Sequence, residues 1–333
     1  MLNFVSVSGY GWTGSSACID ILKEFEGFGA LQGEFRIAKD PYGLTNLEES
    51  LVHNWDSIRN DIAIKDFLNY CEMLSRDTGL FSKPGKGLAN KLNIDFMSES
   101  KHYIDRLADI KYFGNTSVHR YNITAYKNFY MKMRNKFGKN NVNYMYLSRP
   151  NEFEFIKETR SYIHNLFSGY MDFNKINTLV LDQAVSPTNI TNTSRYFENI
   201  KIIIIDRDPR DIYANLVKNN ALIGADLSNK DSADRYIKWH NILRVDFENK
   251  VENLEISKAI LRLNFEDLVC NYEHSVDKII DFFGGRILHK DKCKYFNPDS
   301  TRAKSNVGLW KTYKNQNVMN KISKNLEKYC HNY

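Results

Sequence analysis

Four consecutive isoleucines, Ile202–Ile205, restrict the possible folds of this 333-residue chain more than any other feature. A surface helix or a half-exposed strand alternates apolar and polar residues, so an unbroken apolar run predicts a strand that is covered on both faces. Asp206 ends the run, and Pro209 follows at a position that suits the first turn of a helix. A buried strand that leads directly into a helix is typical of a parallel sheet.

The same strand-to-helix pattern recurs along the chain. Strands are predicted at 2–9, 29–38, 177–184, 199–207 and the start of 259–268. Helices are predicted at 15–25, 209–219 and 231–250. We therefore expect a single α/β domain over residues 1–333, built on a P-loop-like central parallel sheet flanked by helices. The mainly helical pattern between about 44 and 170 indicates an insertion in that domain.

The composition predicts a globular protein of a reducing compartment. Hydrophobic residues make up 42% of the chain, and the net charge of +6 suits anionic ligands, although a basic surface without a ligand is common. Five widely separated cysteines without a C-x-x-C pair argue against a disulfide framework and a zinc site. The sequence contains no recognisable signal peptide, and no apolar run of the about 20 residues of a membrane helix. We therefore expect a cytoplasmic protein, and the absence of a dense basic run argues against nucleic acid as a partner.

A glycine-containing segment connects the first predicted strand to its helix. Gly9 and Gly14 have the G-x-x-x-x-G spacing of a phosphate-binding loop, but Ser15 stands where such a loop has lysine. A loop between a parallel strand and a helix binds phosphate-type anions through backbone N–H groups. The segment also contains a further glycine and hydroxyl donors, at Gly11, Thr13, Ser15 and Ser16. The alternative is a glycine-rich turn with no ligand.

Arg207 follows the isoleucine strand at the edge of the sheet where ligands bind. The guanidinium group favours bidentate binding of phosphate, so Arg207 is a candidate phosphate ligand. The alternative is an ion pair on a surface turn, between Asp206 and Arg210 or between Arg207 and Asp211.

The segment 300–313 is basic and has no clear helical or strand periodicity. Cationic loops of this kind can close over a ligand, although taken alone the segment is a solvated basic loop. Its notable residues are Arg302, Lys304, Ser305, Gly308, Trp310 and Lys311.

Taken in order, these segments resemble the sulfotransferases that use 3'-phosphoadenosine 5'-phosphosulfate (PAPS), in particular the bacterial, carbohydrate type. In that family a first loop holds the 5'-phosphosulfate, an Arg-x-Pro-Arg/Lys-Asp segment holds the 3'-phosphate, and a late loop covers the nucleotide. The matching segments here are 12–16, 207–215 and 303–311, and 263–285 resembles the family's Tyr/Phe-Glu-Asp-Leu segment. Order and spacing match along almost the whole chain, but only loosely between 40 and 175.

The resemblance implies transfer of a sulfuryl group from PAPS to a hydroxyl of a carbohydrate, such as a surface glycan precursor, with 3'-phosphoadenosine 5'-phosphate (PAP) as the product and no metal. The 20 Tyr and 20 Phe residues offer stacking surfaces for sugars. The resemblance implies these donor-binding residues: Gly11, Trp12, Thr13, Gly14, Ser15, Ser16, Arg207, Asn215, Arg302, Lys304, Gly308, Trp310 and Lys311.

The sequence departs from the family pattern at several of these positions. Trp12 stands where the family has Lys or Arg, so either Arg302 or Lys304 supplies the missing cation or the chemistry is altered. Asn215 stands where the family has serine, and its amide can still donate a hydrogen bond. Ala303 and Ser305 stand where Arg and Gly are common.

An acceptor hydroxyl needs a general base. Glu34 is the first candidate, because carbohydrate sulfotransferases often have a catalytic glutamate there. A second strand that runs parallel beside the first would also bring Glu34 to the loop of residues 9–16. The alternative is an ordinary ion pair between Glu34 and Arg36. The weaker candidates are His53, His119 and Asp182. Asp182 and Gln183 end a predicted strand at the ligand edge of the sheet, so they are also candidates for binding the acceptor or the donor.

Two other functions remain open from the sequence. A P-loop nucleotide kinase or NTPase is opposed by the missing lysine, and magnesium dependence would identify one. A non-catalytic nucleotide- or glycan-binding module would bind PAP without turning over PAPS.

Overall fold

A computed structural model of the chain describes residues 2–79, 83–114, 124–137, 143–227, 232–250 and 257–331. The chain forms two compact units, one of residues 1–39 and 170–333 and one of residues 40–169. His119 lies outside the described residues.

The first unit contains a five-stranded, fully parallel sheet. Its strands, in chain order, are β1 (Asn3–Gly9), β2 (Phe28–Glu34), β5 (Thr178–Asp182), β6 (Ile200–Asp206) and β7 (Ile260–Asn264). The order across the sheet is β2-β5-β1-β6-β7. The α/β class and the central parallel sheet expected from the sequence are confirmed.

Helices follow most of these strands in the first unit. They are α1 (Ser15–Leu22), α8 (Ile190–Ser194), α9 (Pro209–Asn219), α10 (Ser232–Lys250), α11 (Phe265–Cys270), α12 (Tyr272–Phe282), α13 (Thr301–Lys304) and α14 (Gln316–Asn325). Short 3-10 turns occur at Leu309–Thr312 and Glu327–Tyr329.

The isoleucine strand lies inside the sheet, as its composition predicts. Ile202–Ile205 are at most 1% exposed, because β6 pairs with β1 on one side and β7 on the other while its two faces are covered. α9 follows after two residues, and it begins where expected because the Asp208 side chain accepts a hydrogen bond from the Arg210 N–H and proline occupies the first turn.

The second unit is mainly helical. Its elements are α2 (Leu44–Glu48), a π-helical turn (Glu49–His53), α3 (Ser57–Ser75), α4 (Leu88–Leu92), α5 (Phe96–Leu107), β3 (Ile110–Gly114), α6 (Ala125–Lys136), β4 (Asn143–Leu147) and α7 (Glu152–Asn174), the last of which extends into the first unit. β3 and β4 form an antiparallel pair. The core contains a buried aromatic group in which the rings of Tyr103 and Tyr162 stack at 4.6 Å and Phe67 packs edge-on against both.

Two local expectations are wrong. β2 ends at Glu34 instead of continuing to residue 38, and it pairs with β5, not with β1. β5 fills the place beside β1 because its apolar residues Leu179, Val180 and Leu181 are fully buried there, whereas β2 is largely part-exposed and suits the edge of the sheet. Among the described residues, no helix has the length and hydrophobicity needed to cross a membrane.

Candidate active site

A cavity of about 1130 Å³ lies within the first unit, at the carboxyl ends of the parallel strands. Its lining comes from the segments that follow β1, β2, β5, β6 and β7, together with α10 and residues 295–306. Open parallel sheets bind ligands at this edge, and the volume is large enough for a nucleotide. The cavity lies at the edge of the sheet where the sequence analysis expected a ligand to bind.

The loop at residues 9–14 brings the N-terminus of α1 to the cavity. Gly14 has φ of +86° and precedes α1, and no side chain caps that helix. A Cβ atom at Gly14 would lie 2.4 Å from Cδ2 of Phe265, so the chain passes too close to α11 for a side chain at this position. Ser15 and Ser16 line the cavity. Their backbone N–H groups and the positive end of the helix dipole suit a bound anion.

Trp12 lies in this loop with φ of +60°, and it is 41% exposed. Its carbonyl oxygen accepts a hydrogen bond of 3.1 Å from Nη1 of Arg207. The position where the family has a cation therefore presents an indole ring, and its backbone is tied to the arginine that follows β6.

Arg207 connects three segments of the cavity wall. Beside its bond to Trp12, its Nη2 donates to the carbonyl of Asn306 at 2.6 Å, and its guanidinium lies 4.9 Å from the ring centre of Phe265. The amide of Asn215, oriented with its oxygen toward Arg207, accepts from Nη1 at 2.7 Å and from Nη2 at 3.1 Å. Arg207 and Asn215 both line the cavity and are both buried. The two residues expected around the 3'-phosphate are thus brought together.

The charged residues beside Arg207 form several ion pairs. Arg210 pairs with Asp208 at 2.5 Å in a buried position. Asp206 lies 3.7 Å from Arg244 and 3.6 Å from Arg262. The segment that follows β6 is therefore a buried polar network, not a surface turn.

Asp211 fixes the third segment to α9. Its buried carboxylate accepts hydrogen bonds from the backbone N–H of Gly308 at 2.8 Å and from that of Trp310 at 3.0 Å. Burial raises the pKa of Asp211, although these two bonds act in the opposite direction. The ring of Trp310 packs against the guanidinium of Arg210 at 3.9 Å. The segment expected to be a loop thus forms the short helices at 301–304 and 309–312.

The buried Glu266 supports the same network from the Phe-Glu-Asp-Leu segment. Its Oε1 accepts the backbone N–H of Asp208 at 2.9 Å. Burial raises the pKa of Glu266 to about 7. Glu266 of the Phe-Glu-Asp-Leu segment therefore stabilises the start of α9, and it does not line the cavity.

The basic residues of the third segment are divided by the structure. Arg302 lines the cavity, whereas Lys304 and Lys311 do not, and Lys304 pairs with Asp299 at 2.8 Å. Gly308 and Trp310 are likewise outside the lining. Three cations that sequence reasoning missed line the cavity, namely Arg36, Lys39 and Lys218.

Glu34 and Asp182 lie opposite each other where β2 pairs with β5. Glu34 lines the cavity that the loop 9–14 also lines, and its Oε2 lies 3.7 Å from Nη1 of Arg36. Both the expected cavity position and the alternative ion pair of Glu34 are therefore present.

The surroundings of Asp182 raise the pKa of its carboxyl group. Burial, followed by the nearby Glu34 carboxylate, raises the pKa of Asp182 to about 6, although the Ser15 hydroxyl donates a hydrogen bond to it at 3.3 Å. A carboxyl group with a raised pKa beside an anion-binding loop is typical of acid–base sites.

Gln183, which follows Asp182, lies at the edge of the sheet where the sequence analysis expected it to bind a ligand. It lines the cavity with φ of +61°, and its Oε1 accepts a hydrogen bond of 2.7 Å from Nζ of Lys39. Backbone strain of this kind in a non-glycine residue is frequent at functional sites. No local sequence signal marks the pair, because residues 39 and 183 meet only through the sheet.

One side of the cavity is apolar, which the sequence analysis also did not predict. Trp239 and Leu243 lie one helical turn apart on α10, and this spacing was the available signal. The further apolar lining residues are Leu222, Phe265 and Phe296.

His53 lies in the second unit. Its Nε2 is 3.5 Å from Oε1 of Glu48, and the ligand atoms of Glu48, His53 and Glu152 lie within 4.8 Å of one another. A catalytic role of His53 remains a prediction, as does the absence of a metal.

A sequence model of the sulfotransferase family matches residues 89–287, more than half of the chain. A comparison with curated proteins finds no significant match.

A comparison with solved structures matches, among others, the sulfotransferase domain from the Synechococcus PCC 7002 olefin synthase (12% identity, 100% of this chain and 96% of that one, TM-score 0.44). It also matches the sulfotransferase domain from the curacin biosynthetic pathway (12%, 98% and 98%, TM-score 0.45) and sulfotransferase STF1 from Mycobacterium tuberculosis H37Rv (11%, 97% and 77%, TM-score 0.37). These likenesses are distant, so the assignment depends on the family match.

Proposed function

Because this chain belongs to the sulfotransferase family, we propose that it transfers a sulfuryl group from PAPS to a hydroxyl of a carbohydrate acceptor. The observation that carries the proposal is the joining of three segments by Arg207, beside the uncapped N-terminus of α1. We further propose that residues 1–333 are one domain with a helical insertion, in a bacterial-type cytoplasmic enzyme.

The cavity suits a nucleotide that carries several negative charges. The N-terminus of α1 would hold the 5'-phosphosulfate through backbone N–H groups and the hydroxyls of Ser15 and Ser16. Arg207, Asn215 and Arg302 would surround the 3'-phosphate. The apolar side formed by Trp239 and Phe265 supports a stacked adenine.

Cations beyond the expected set compensate for Trp12. Lys39 and Arg36 line the cavity close in sequence to Glu34, and both lower the pKa of Asp182, so their charge acts at this end of the sheet. They are better placed than Lys304, which is outside the lining. We propose that Lys39 or Arg36 stabilises the charge that develops on the departing phosphate.

Proton removal from the acceptor is assigned to Glu34, which is on the cavity wall. PAPS supplies the sulfuryl group, and PAP leaves. Glu34 would take the acceptor proton, and its carboxylate also contributes, after burial, to the raised pKa of Asp182 on the neighbouring strand.

The resemblance and the remaining lining of the cavity support a carbohydrate acceptor. Tyr295 supplies an aromatic face, and Asn297, Ser300 and Thr188 supply hydrogen-bonding groups. Such a combination suits a sugar with several hydroxyls, such as a surface glycan precursor.

The test is incubation of the protein with ³⁵S-labelled PAPS and a panel of glycans, with chelator present. Transfer of label to a glycan is the expected result. If label is transferred only to small non-carbohydrate alcohols or phenols, the protein is a sulfotransferase but the proposed carbohydrate acceptor is wrong. Phosphate transfer from ATP with magnesium would instead favour a kinase.

Trp12 favours one second candidate, a module that binds PAP without catalysis. In that case the wild-type protein would bind PAP and release no sulfate from PAPS, and Trp12→Lys would restore turnover. A wild-type protein that already turns over PAPS eliminates this candidate.

A further inference from the structure

The helix α6 (Ala125–Lys136) carries several large apolar side chains that are exposed, although such residues are usually buried. No residue of α6 is buried, and five of the six large apolar residues in 125–137 are between 38% and 80% exposed: Tyr126, Phe129, Tyr130, Met133 and Phe137. A 12-residue helix is only marginally stable in water without tertiary packing. An exposed apolar patch of this size marks an interaction surface.

These five residues form one continuous stripe. At 3.6 residues per turn, their spacing places them within an arc of about 100°. We call this surface the aromatic stripe. It contains four aromatic rings and a methionine on one side of a short helix, so it forms a continuous apolar surface.

Basic residues flank the stripe on both sides. By the same geometry, Lys127 and Arg134 lie along one edge, and Lys132 and Lys136 lie along the other. The segment 124–137 contains no Asp or Glu. The side opposite the stripe carries Asn128, Met131 and Asn135.

We propose that α6 is an interfacial helix that binds an anionic lipid surface. In this orientation the aromatic stripe enters the boundary between headgroups and acyl chains, and the four flanking cations contact anionic headgroups. The charged residues of the segment are all positive. This favours an anionic lipid surface over a second copy of this basic chain, because two such helices would repel each other. Nucleic acid is disfavoured because the rings form one apolar wedge instead of separate platforms along a basic groove.

The strands that flank α6 in the chain also carry exposed aromatic residues. β3 carries the exposed Tyr112 and Phe113, and β4 carries the exposed Tyr144, whose ring contacts Phe113 edge-on at 5.3 Å. Aromatic residues of this kind are enriched at membrane interfaces.

The experiment is co-sedimentation of the full-length protein with vesicles of phosphatidylcholine alone or with 30% phosphatidylglycerol, at low and high salt. Binding to the anionic vesicles that falls at high salt is expected. Phe129→Ser/Tyr130→Ser and Lys127→Glu/Lys132→Glu should each lower the partition coefficient by about 10-fold or more. The matched controls Phe153→Ser and Lys101→Glu alter exposed residues of other helices and should bind like the wild type.

A second measurement detects contact of α6 with lipid directly, so the test does not depend only on variants that lose binding. Phe129→Trp should be quenched by brominated lipid, and Phe153→Trp should not. Absence of binding to anionic vesicles by the folded wild type would overturn the proposal. So would equal losses in the control variants, a stripe-dependent dimer in solution, or stripe-dependent binding of single-stranded DNA in place of vesicles. The measurement contains neither PAPS nor acceptor, so its outcome is separate from that of the proposed function.

Discussion

The Nη1 atom of Arg207 donates a hydrogen bond of 3.1 Å to the carbonyl oxygen of Trp12. This bond joins the loop that follows β1 to the segment that follows β6, two places that are 195 residues apart in the chain. Because Nη2 of the same side chain also binds the carbonyl of Asn306, one guanidinium holds three parts of the cavity wall. Its charge is thereby positioned before any ligand binds.

Arg207→Ala should reduce discrimination in favour of the 3'-phosphate. We expect the ratio of the Kd for adenosine 5'-phosphate to the Kd for PAP to fall by roughly 10- to 100-fold, since a charge-assisted contact contributes about 1.5–3 kcal/mol. Titration calorimetry measures both constants. Arg244→Ala is the control, because Arg244 is equally buried but lies outside the lining. An unchanged ratio in Arg207→Ala would show that Arg207 supports only the fold.

Gly14→Ala should destabilise the protein and weaken PAP binding together. The substitution combines a positive φ with a Cβ placed 2.4 Å from Phe265. Two glycine controls separate these causes: Gly284 has φ of +79° with open space, and Gly169 lies within α7 with open space. We expect a loss of about 1 kcal/mol for Gly284→Ala, no loss for Gly169→Ala, and a larger loss for Gly14→Ala in urea unfolding. Equal losses at positions 14 and 284 would remove the steric argument.

Glu34→Gln should lower kcat by roughly 100-fold or more while the Kd for PAP changes little, because amide replacement removes basicity and keeps shape. Steady-state kinetics at saturating acceptor make the comparison. The matched control is Glu26→Gln, which alters another exposed carboxylate with a basic neighbour, Lys290 at 3.6 Å. A Glu34→Gln enzyme that retains most of its turnover would move the base to Asp182 or His53.

Asp182→Asn should stabilise the protein at pH 8 and not at pH 4. The folded-state pKa of Asp182, about 6, is above its ordinary value of 3.8. The carboxyl group therefore costs nothing below its unfolded pKa, and the cost grows as the pH rises from 3.8 to about 6, reaching at most about 3 kcal/mol above that. Urea unfolding of both proteins at the two pH values measures the difference. A variant that is less stable at pH 8 would mean that the hydrogen bond from Ser15 outweighs the burial of charge.

Most of the fold followed from local patterns. The run Ile202–Ile205 identified a central strand, and Asp208 with Pro209 gave the start of α9, because caps and apolar runs act within a few residues. The place of β2 did not follow, because strand order depends on which distant segments pair. Residues 28–34 contain no signal that they pair with 178–182.

The site was predicted in part for the same reason. The glycine loop and Arg207 were identified from short motifs, and the sulfotransferase assignment that these motifs implied is confirmed by the family match. Lys39 was missed, because only the sheet brings it to Gln183, which the sequence had placed at the ligand edge. Gly308 and Trp310 have the expected residue types, but their backbone N–H groups bind Asp211 and their positions lie outside the lining.

The melting temperature of the protein with PAP, compared with that with ATP and magnesium, tests most directly whether the cavity is a PAPS site. A ligand at 100 times its Kd stabilises the native state by about 2.7 kcal/mol. We predict a larger increase in Tm with PAP than with ATP and magnesium, and an increase with PAP that EDTA does not alter. An equal or larger increase with ATP and magnesium that EDTA abolishes, or no increase with PAP, would contradict the account.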